Sequence, residues 1–376
     1  MYSPKFTISN QILKNISTIG ACREIIENAP IIPAYERKFK EEALVRTVHH
    51  GTHIEGNDLS LEQAGRVILS AKGETDAGEA IKDTGIYARE RDVQEVINYR
   101  SVLDWLDEEY QQKNKRTEEQ RNNYRYTEGQ IKQIHKLAVY RIVPSENQGE
   151  YRKTQVVLRD SRTGEVTFRP PPAVEVPYLM EDFVSWINSL GGREIHPVLR
   201  AGIAHYAMAA IHPFVEGNGR TARAFATLIL FMEGYDTRRL FSLEEYFDRD
   251  AESYYKTLIA TSNQSHDLVS RDLTFWLEYF TFGLSLEIAR VREKVKKLSI
   301  DARLKSKRGE QILLTDRQIR IVEYLSQNNA CRMGTLRELF PQVSDDTVLR
   351  DMQALVSKGV VEKKGKTKGA VYELAT

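Results

Sequence analysis

The residues from Ile211 to Arg223, Ile-His-Pro-Phe-Val-Glu-Gly-Asn-Gly-Arg-Thr-Ala-Arg, constrain this chain more than any other stretch. They follow an apolar helical run, Val198 to Ile211, and open a second one, Ala222 to Met232. Pro213 cannot continue the first helix, so the chain must break there. Gly217 and Gly219 permit a tight turn and a close approach of backbone to a ligand. A glycine-rich loop that feeds a helix start presents free N–H groups and the positive end of the helix dipole, which suits phosphate. Arg220 and Arg223, three residues apart, share nearly one helix face and can grip an anion as rigid forks. Each member has a bland reading: His212 as a structural imidazole, Gly217-Asn218-Gly219 as an ordinary turn, the arginines as a solvated face. Their concentration on one loop between two apolar helices points instead to phosphoryl or nucleotidyl transfer.

The stretch resembles the Fic family signature, His-x-Phe-x-(Asp/Glu)-Gly-Asn-Gly-Arg-x-x-Arg, with every defined position filled. The resemblance covers roughly residues 5–286. It implies a mostly α fold, a helical core with a small β-hairpin flap, and transfer of AMP from ATP to a protein hydroxyl with pyrophosphate leaving. The local chemistry agrees part by part. His212, near its unperturbed pKa, would accept the hydroxyl proton at neutral pH. Glu216 is a hard oxygen ligand suited to a Mg2+ ion bridging the phosphates. Backbone amides of Gly217, Asn218 and Gly219, with the Asn218 side chain, would hold phosphate oxygens where charge develops. Arg220 and Arg223 would neutralise the β- and γ-phosphates. Thr221 falls in the same nucleotide-binding run, and Phe214 should point into the core and fix the loop.

Upstream, residues 5–100 read as helical, with Ile12, Leu13, Ile16 and Ile19 at helical spacing. Pro30 and Pro33 precede a helix from about Tyr35 to Ile54, which Gly56 and Asn57 should stop. Ser60 with Gln63 reads as a capping box opening the next helix. Glu55 then lies in a last helical turn, where the dipole disfavours a carboxylate, so a cationic partner is expected. Many Fic proteins carry an inhibitory helix with Ser/Thr-x-x-x-Glu-Gly/Asn. Glu55-Gly56 matches it, but Gly51 occupies the Ser/Thr position and Thr52 comes one residue late. The resemblance implies that Glu55 pairs with Arg223 and blocks productive placement of the γ-phosphate. His49 and His53 are i,i+4 neighbours, as zinc ligands can be, but no third ligand pattern follows.

Residues 108–128 lack apolar periodicity and read as a surface excursion or loose helix end, with helix resuming from Ile131 to Val139. Val156-Val157-Leu158-Arg159, a turn at 160–164 and Glu165-Val166-Thr167-Phe168 read as a β-hairpin, ended by Pro170-Pro171-Pro172. The hairpin resembles the Fic flap, whose edge docks an extended target segment by strand addition. The flap at 156–169 would thus receive the protein target, with Val156, Val157, Leu158 and Arg159 beside the nucleotide. Val176 to Leu190 reads as an amphipathic helix stopped by Gly191-Gly192. Tyr254 and Tyr255, on a helix from Glu244 to Thr261, are either half-buried packing or, by resemblance, the lining of the adenine pocket. Ser262 or Asn263 would be the polar residue that follows. Leu273 to Leu286 should complete the core.

The C-terminal part differs in character. From Arg290 to Glu310, nine Lys/Arg face three Asp/Glu, a basic helix trailing into a linker. From Thr315, three helices and a β-wing (Val360-Val361-Glu362 against Val371 to Leu374) resemble a winged helix-turn-helix. Lys363, Lys364, Lys366 and Lys368 make the wing basic, as phosphate contacts require, while Asp345, Asp346 and Asp351 on the third helix would repel a DNA backbone. DNA binding and a protein-interaction role therefore both stay open for 312–376, as does a homodimer. The expected division is an N-terminal helical segment with the inhibitory helix at 1–100, a catalytic domain at 101–288, a basic helix and linker at 289–311, and the winged domain at 312–376.

A formal charge of +1 gives no general pull toward nucleic acid or membrane. Cys22 and Cys331 form neither a disulfide framework nor a metal spacing, and no apolar run is long enough to span a bilayer. With no apolar core at the N-terminus, the expectation is a cytosolic protein. The absence of Gly-x-x-x-x-Gly-Lys-Ser/Thr argues against a P-loop ATPase. Two other readings stand beside AMP transfer. One is a DNA-binding regulator whose nucleotide site senses rather than catalyses; the other is transfer of UMP, phosphate or phosphocholine.

Overall fold

The structure is a computed structural model that describes residues 2–29, 31, 33–70, 76–115, 117, 119, 123–159, 164–298, 314–328, 330–365 and 370–375. It is mostly helical. The first five helices are α1 (Asn10–Glu27), α2 (Pro33–His53), α3 (Leu61–Ser70), α4 (Ala77–Thr84) and α5 (Glu90–Asn114). Next come α6 (Glu128–Ala138), a two-stranded hairpin of β1 (Leu158–Arg159) and β2 (Val166–Phe168), α7 (Val176–Asn188) and α8 (Leu190–Glu194). The central pair is α9 (Pro197–Ile211) and α10 (Asn218–Met232), followed by α11 (Leu243–Arg249), α12 (Ala251–Ser262) and α13 (Thr274–Leu298). The last part holds α14 (Asp316–Asn328), β3 (Ala330–Arg332), α15 (Met333–Leu339), α16 (Asp345–Ser357), β4 (Val361–Lys364) and β5 (Val371–Leu374). The chain divides into two compact units, one of residues 1–23 with 40–289, the other of 24–39 with 290–376.

In the first unit α9 and α10 are the axis. Both are mostly apolar and buried nearly all round, every residue but Pro197 and Ala209 in α9 and every residue but Gly219 in α10. The side chains of Leu199, Ile203, Tyr206, Phe225, Leu228 and Ile229 have 1 % exposure or less. Helices α5 and α6 cover α10, while α7 and α12 cover α9. Where α13 crosses, the Trp276 indole donates to the Gly202 carbonyl at 2.8 Å. A β-carbon at Gly202 would come within 2.9 Å of Leu277 and Phe280, so this crossing depends on a bare backbone.

Local signals hold where they rest on capping. Ser60 and Gln63 exchange both bonds of the capping box (2.9 and 3.2 Å), and Gly56 leaves α2 in the left-handed region at φ 92°. Three expectations need correction. Helix α5 runs on to Asn114: Leu103 and Leu106 are buried, and the residues at 107–114 are exposed or half-buried. The glycines at 191 and 192 do not end α7; Ser189 does, and it caps the short α8 that contains them. A β-carbon on Gly192 would lie 2.2 Å from the Trp186 carbonyl. The flap strands are shorter than read, pairing Leu158 with Phe168 and Arg159 with Val166, and the 160–163 turn lies outside the described residues.

In the second unit, Thr315 and Gln318 cap α14 reciprocally. The wing is three-stranded, in the order β3-β5-β4; β3, three residues long, escaped the sequence reading because so short a strand has no periodicity. Lys366 and Lys368 lie outside the described residues. Asp345 and Asp351 are not free charges on α16: Arg337 holds the first at 2.9 Å and Arg317 the second at 2.6 Å. No helix among the described residues is long and apolar enough to cross a membrane.

Replacing Trp276 by alanine removes both a large buried ring and the bond to Gly202, and is expected to cost about 3–5 kcal/mol. Urea unfolding of the variant against the parent checks this; a loss within error would mean that α13 does not anchor α9.

Candidate active site

The turn between α9 and α10 is a short loop under constraint. His212 closes α9 in the left-handed conformation, φ 52° and ψ 60°, rare for a residue with a β-carbon and costing on the order of 1–3 kcal/mol. The surroundings hold it there. Buried Arg152 donates through Nε to the His212 carbonyl (2.8 Å) and through Nη2 to that of Pro171 (2.6 Å), while its backbone N–H donates to the Pro213 carbonyl (2.9 Å). Phe214 is fully buried, as expected, and its ring stacks on His135 with centroids 3.7 Å apart and planes 4° from parallel. Gly217 then turns left-handed, φ 75°, and caps α10.

The expected site residues come together unevenly. The His212 Nδ1 lies 3.3 Å from the Ala209 carbonyl. A carbonyl can only accept, so Nδ1 carries the proton and Nε2 keeps its lone pair. Burial pushes the imidazole down to about 4 rather than leaving it near its ordinary value. It is therefore neutral at pH 7, ready to accept a proton but a weaker base than expected. Asn218 does not turn its side chain to a ligand: Oδ1 accepts from Phe214 N–H (2.8 Å) and Nδ2 donates to Phe214 C=O (2.9 Å), which locks the loop. The Thr221 hydroxyl is likewise taken up, by the Gly217 carbonyl at 2.8 Å. What Asn218 can still offer is its backbone N–H in the first turn of α10, where helix amides are free.

The two arginines lie buried at the start of α10. Arg223 Nη2 donates to the Gly51 carbonyl (2.8 Å) and to Glu55 Oε1 (2.9 Å). Arg220 Nη1 reaches the Ala138 carbonyl (3.3 Å), with Glu216 at 3.6 Å and Glu95 at 3.7 Å. Nε and Nη1 of Arg223 and Nε of Arg220 are buried with no acceptor in hydrogen-bond geometry, which is unusual for so polar a group. Burial alone would raise the Glu55 carboxyl, yet Arg223, Arg220 and His212 together hold it below the ordinary carboxylate value. Imidazole, guanidiniums and the Glu55 carboxylate thus share one electrostatic environment.

Gly51 explains the departure from the inhibitory pattern. A β-carbon there would meet the Tyr99 ring at 2.4 Å, so no serine fits; the Gly51 carbonyl serves Arg223 instead. The Thr52 hydroxyl points back to the Val48 and His49 carbonyls. Gly219 is equally confined: a β-carbon would stand 2.0 Å from Glu55 Oε1.

Val156, Val157 and Leu158 are half-buried in the flap, and Arg159 Nη1 donates to the Gly164 carbonyl at 2.9 Å. Tyr254 is core: its hydroxyl meets His205 Nε2 at 3.1 Å and its ring lies 4.7 Å from Phe247. Tyr255 donates to the Ile54 carbonyl at 3.1 Å and so touches the turn that follows α2. Asn263 is exposed at the C-cap of α12, while Ser262 is buried against the Tyr206 hydroxyl. The histidines of α2 hold no metal cluster among the described residues. His50 and His53 both turn Nδ1 to Asp248, at 2.7 and 2.8 Å.

Sequence reasoning passed over His135, Arg91, Glu95, Tyr99 and Asp248. Arg91 pairs with Glu216 and, at 3.3 Å, with Glu95. Glu216 is one-third exposed, and its carboxylate pairs with Arg91 and lies 3.6 Å from Arg220.

Comparison with known proteins follows these features. Residues 125–230 match the Fic/DOC family, and residues 317–366 match the DeoR-like helix-turn-helix domain. The chain carries a Fic/DOC domain. Among curated proteins it is similar to "Protein adenylyltransferase Fic" of Drosophila grimshawi, 30% identical over 199 residues, 53% of this chain and 35% of that one. The protein of the same name in Culex quinquefasciatus is 28% identical over 222 residues, 59% of this chain and 39% of that one. The chain thus spans little more than a third of the curated relatives it matches. A Fic family protein from Desulfovibrio desulfuricans G20 has a similar structure, with a TM-score of 0.61, 23% identity, and coverage of 99% of this chain and 98% of that one. A Fic domain containing signaling protein from Bacteroides thetaiotaomicron gives 0.58 and 22%, covering 81% of this chain and 100% of that one. These two likenesses concern the fold.

Four imidazoles in or behind the Fic domain are held neutral by burial: His49, His135 and His212 at about 4, and His205 at about 3. In the unfolded chain each returns to about 6.5. As pH falls below that value the unfolded state gains protons that the folded state refuses, so stability drops with acidification. Calorimetric melting is expected to show a lower Tm at pH 5 than at pH 7; an unchanged Tm would contradict the burial of these rings.

Proposed function

We propose that this protein is a protein adenylyltransferase, moving AMP from ATP to a hydroxyl side chain of a protein target or of itself. The observation that carries this is the meeting of the His212 imidazole with buried, partly unpartnered Arg220 and Arg223 at the amide-rich start of α10. In the reaction the hydroxyl oxygen attacks the α-phosphorus, the bond to the bridging oxygen breaks, and pyrophosphate leaves. His212 Nε2 takes the hydroxyl proton, a contribution of about 10²–10⁴-fold. The free amides of Gly217, Asn218 and Gly219 receive the phosphate oxygens, and Arg220 and Arg223 the β- and γ-phosphates. Glu216 would hold the Mg2+ that neutralises phosphate charge. The adenine side is assigned to Val156, Val157, Leu158, Arg159, Tyr255 and Asn263, with Tyr254 behind them and Thr221 bracing the loop. The flap edge at 156–169 is where an extended target segment adds as a strand.

We further infer that Glu55 is an intrinsic brake. Its carboxylate occupies the Arg223 guanidinium that the γ-phosphate needs, and the Gly51 carbonyl takes part of the same donor set. The winged-helix unit is assigned to DNA contact, since two of its three troublesome aspartates are neutralised within the unit. We place this activity in the cytoplasm and assign its parts to 1–100, 101–288, 289–311 and 312–376.

Incubation with ATP labelled on the α-phosphate tests the reading. Glu55→Gly is expected to raise auto-labelling over the parent, and His212→Ala to abolish it without loss of ATP binding. Label from γ-phosphate instead would make the protein a kinase; specific retention on duplex DNA with no labelling by any form would make it a sensor. Gly51→Ser, which forces the Tyr99 ring away, is expected to label at a level between the parent and Glu55→Gly. Labelling below the parent would mean that a hydroxyl there strengthens the brake.

A further inference from the structure

His135 lies in α6, 77 residues before the motif histidine, and none of the motif chemistry calls for it. It is 1 % exposed. Its Nδ1 accepts from the Gly149 N–H at 2.9 Å and its Nε2 faces the Glu216 carbonyl at 2.9 Å. The first bond requires a lone pair on Nδ1 and the second a proton on Nε2, so only the neutral Nε2–H tautomer satisfies both. Burial secures that state by pushing the ring down to about 4. The same ring is stacked flat against Phe214. One imidazole therefore fixes the motif loop twice, by its face at Phe214 and by its edge at the Glu216 backbone. Gly217 follows at once, with its α-carbon packed so close that an added β-carbon would strike Val139, the residue that caps α6, at 2.5 Å.

The far end of the loop has its own clamp, Arg152, bonded to the backbone of His212 and Pro213. Neither Arg152 nor His135 bonds through its side chain to Arg220 or Arg223, which are placed by α10 itself. The loop is thus held at both ends independently of the arginines that would bind the phosphate tail. This division has a kinetic meaning. Losing the His135 clamp should leave triphosphate affinity largely to the arginines, while the carboxylate of Glu216 and the amides from Gly217 onward drift relative to the reacting phosphate.

Resting on the transferase reading above, we propose that His135 is a positioning residue for catalysis: it sets the Phe214–Gly217 segment so that the Glu216 carboxylate and the following amides meet the nucleotide in register. It does not touch substrate. The two hydrogen bonds separate by substitution. Glutamine places an amide near Nε2 and can still donate to Glu216, whereas phenylalanine keeps a ring on Phe214 and loses both bonds.

The test is made in the full chain carrying Glu55→Gly, so that the brake does not mask the rate. His135→Phe is expected to lower kcat by about 10²-fold, the scale of a displacement on the order of 1 Å at a reacting centre, while KM for ATP moves far less. His135→Gln should recover a part of kcat. Hydrogen exchange of the amides at 214–219 supplies a readout independent of turnover: faster in His135→Phe, intermediate in His135→Gln, with exchange in α9 and α13 unchanged. A uniform rise in exchange, or a fall in kcat that glutamine does not relieve, would reduce His135 to a fold residue and overturn the proposal. So would parent-like exchange and kcat in His135→Phe, or a change confined to KM. Should the Glu55→Gly parent transfer nothing, the transferase reading fails, while the loop exchange still decides whether His135 holds the segment.

Discussion

The seating of Phe214 in the core is the constraint on which the rest depends. A fully buried phenylalanine, stacked on a histidine and bracketed by the two amide bonds of Asn218, leaves the loop one way to run. Because Phe214 is fixed, His212 must adopt its left-handed backbone, and because Arg152 satisfies the carbonyls on that side, the strain is held. Because the loop closes so tightly, α10 begins at Asn218, and its first turn brings Arg220 and Arg223 under the same roof as the imidazole. Apolar packing thus does the placing, and the polar groups follow from it. That order is the physically economical one: a buried aromatic pair is non-polar enough to be favourable in the core, whereas buried guanidiniums without acceptors are not.

The unpartnered donors explain why a carboxylate from a distant helix is drawn in. A buried guanidinium is costly unless something negative approaches it, and the Glu55 carboxylate helps to hold Arg223 in its charged form. Glu55 answers this need from the turn just past α2, close to the negative end of that helix's dipole. The Gly51 carbonyl and the Glu55 carboxylate share the Nη2 group of that arginine. Tyr255, Asp248 and Tyr99 all touch α2 or its end, so the helix that delivers Glu55 is tied to the body at several points beyond the ion pair.

Much of this was legible in the letters. The central turn, its two apolar helices, the capping box at Ser60, and the pairing partner of Glu55 all rest on local rules or on a motif with fixed spacing. What escaped reading is of another kind. His135 with Glu216, Arg91 with Glu216 and Tyr99 against Gly51 join residues far apart in the chain, and no periodicity announces such a meeting. Local composition also misled in places. A glycine pair at 191–192 suggests a stop, yet both residues belong to a helix, and at Gly192 close contact with Trp186, rather than a turn, requires a bare backbone. An unperturbed pKa for His212 was the default for a residue whose burial could not be seen. The aspartates of α16 looked repulsive until their arginine partners, one helix away, came into view.

Gly219 has a consequence for how such a molecule can change over time. Glu55 Oε1 stands on the ground that any side chain at 219 would occupy. A methyl group added there would push the carboxylate aside and loosen its hold on Arg223. Position 219 therefore cannot gain a side chain without position 55 giving way.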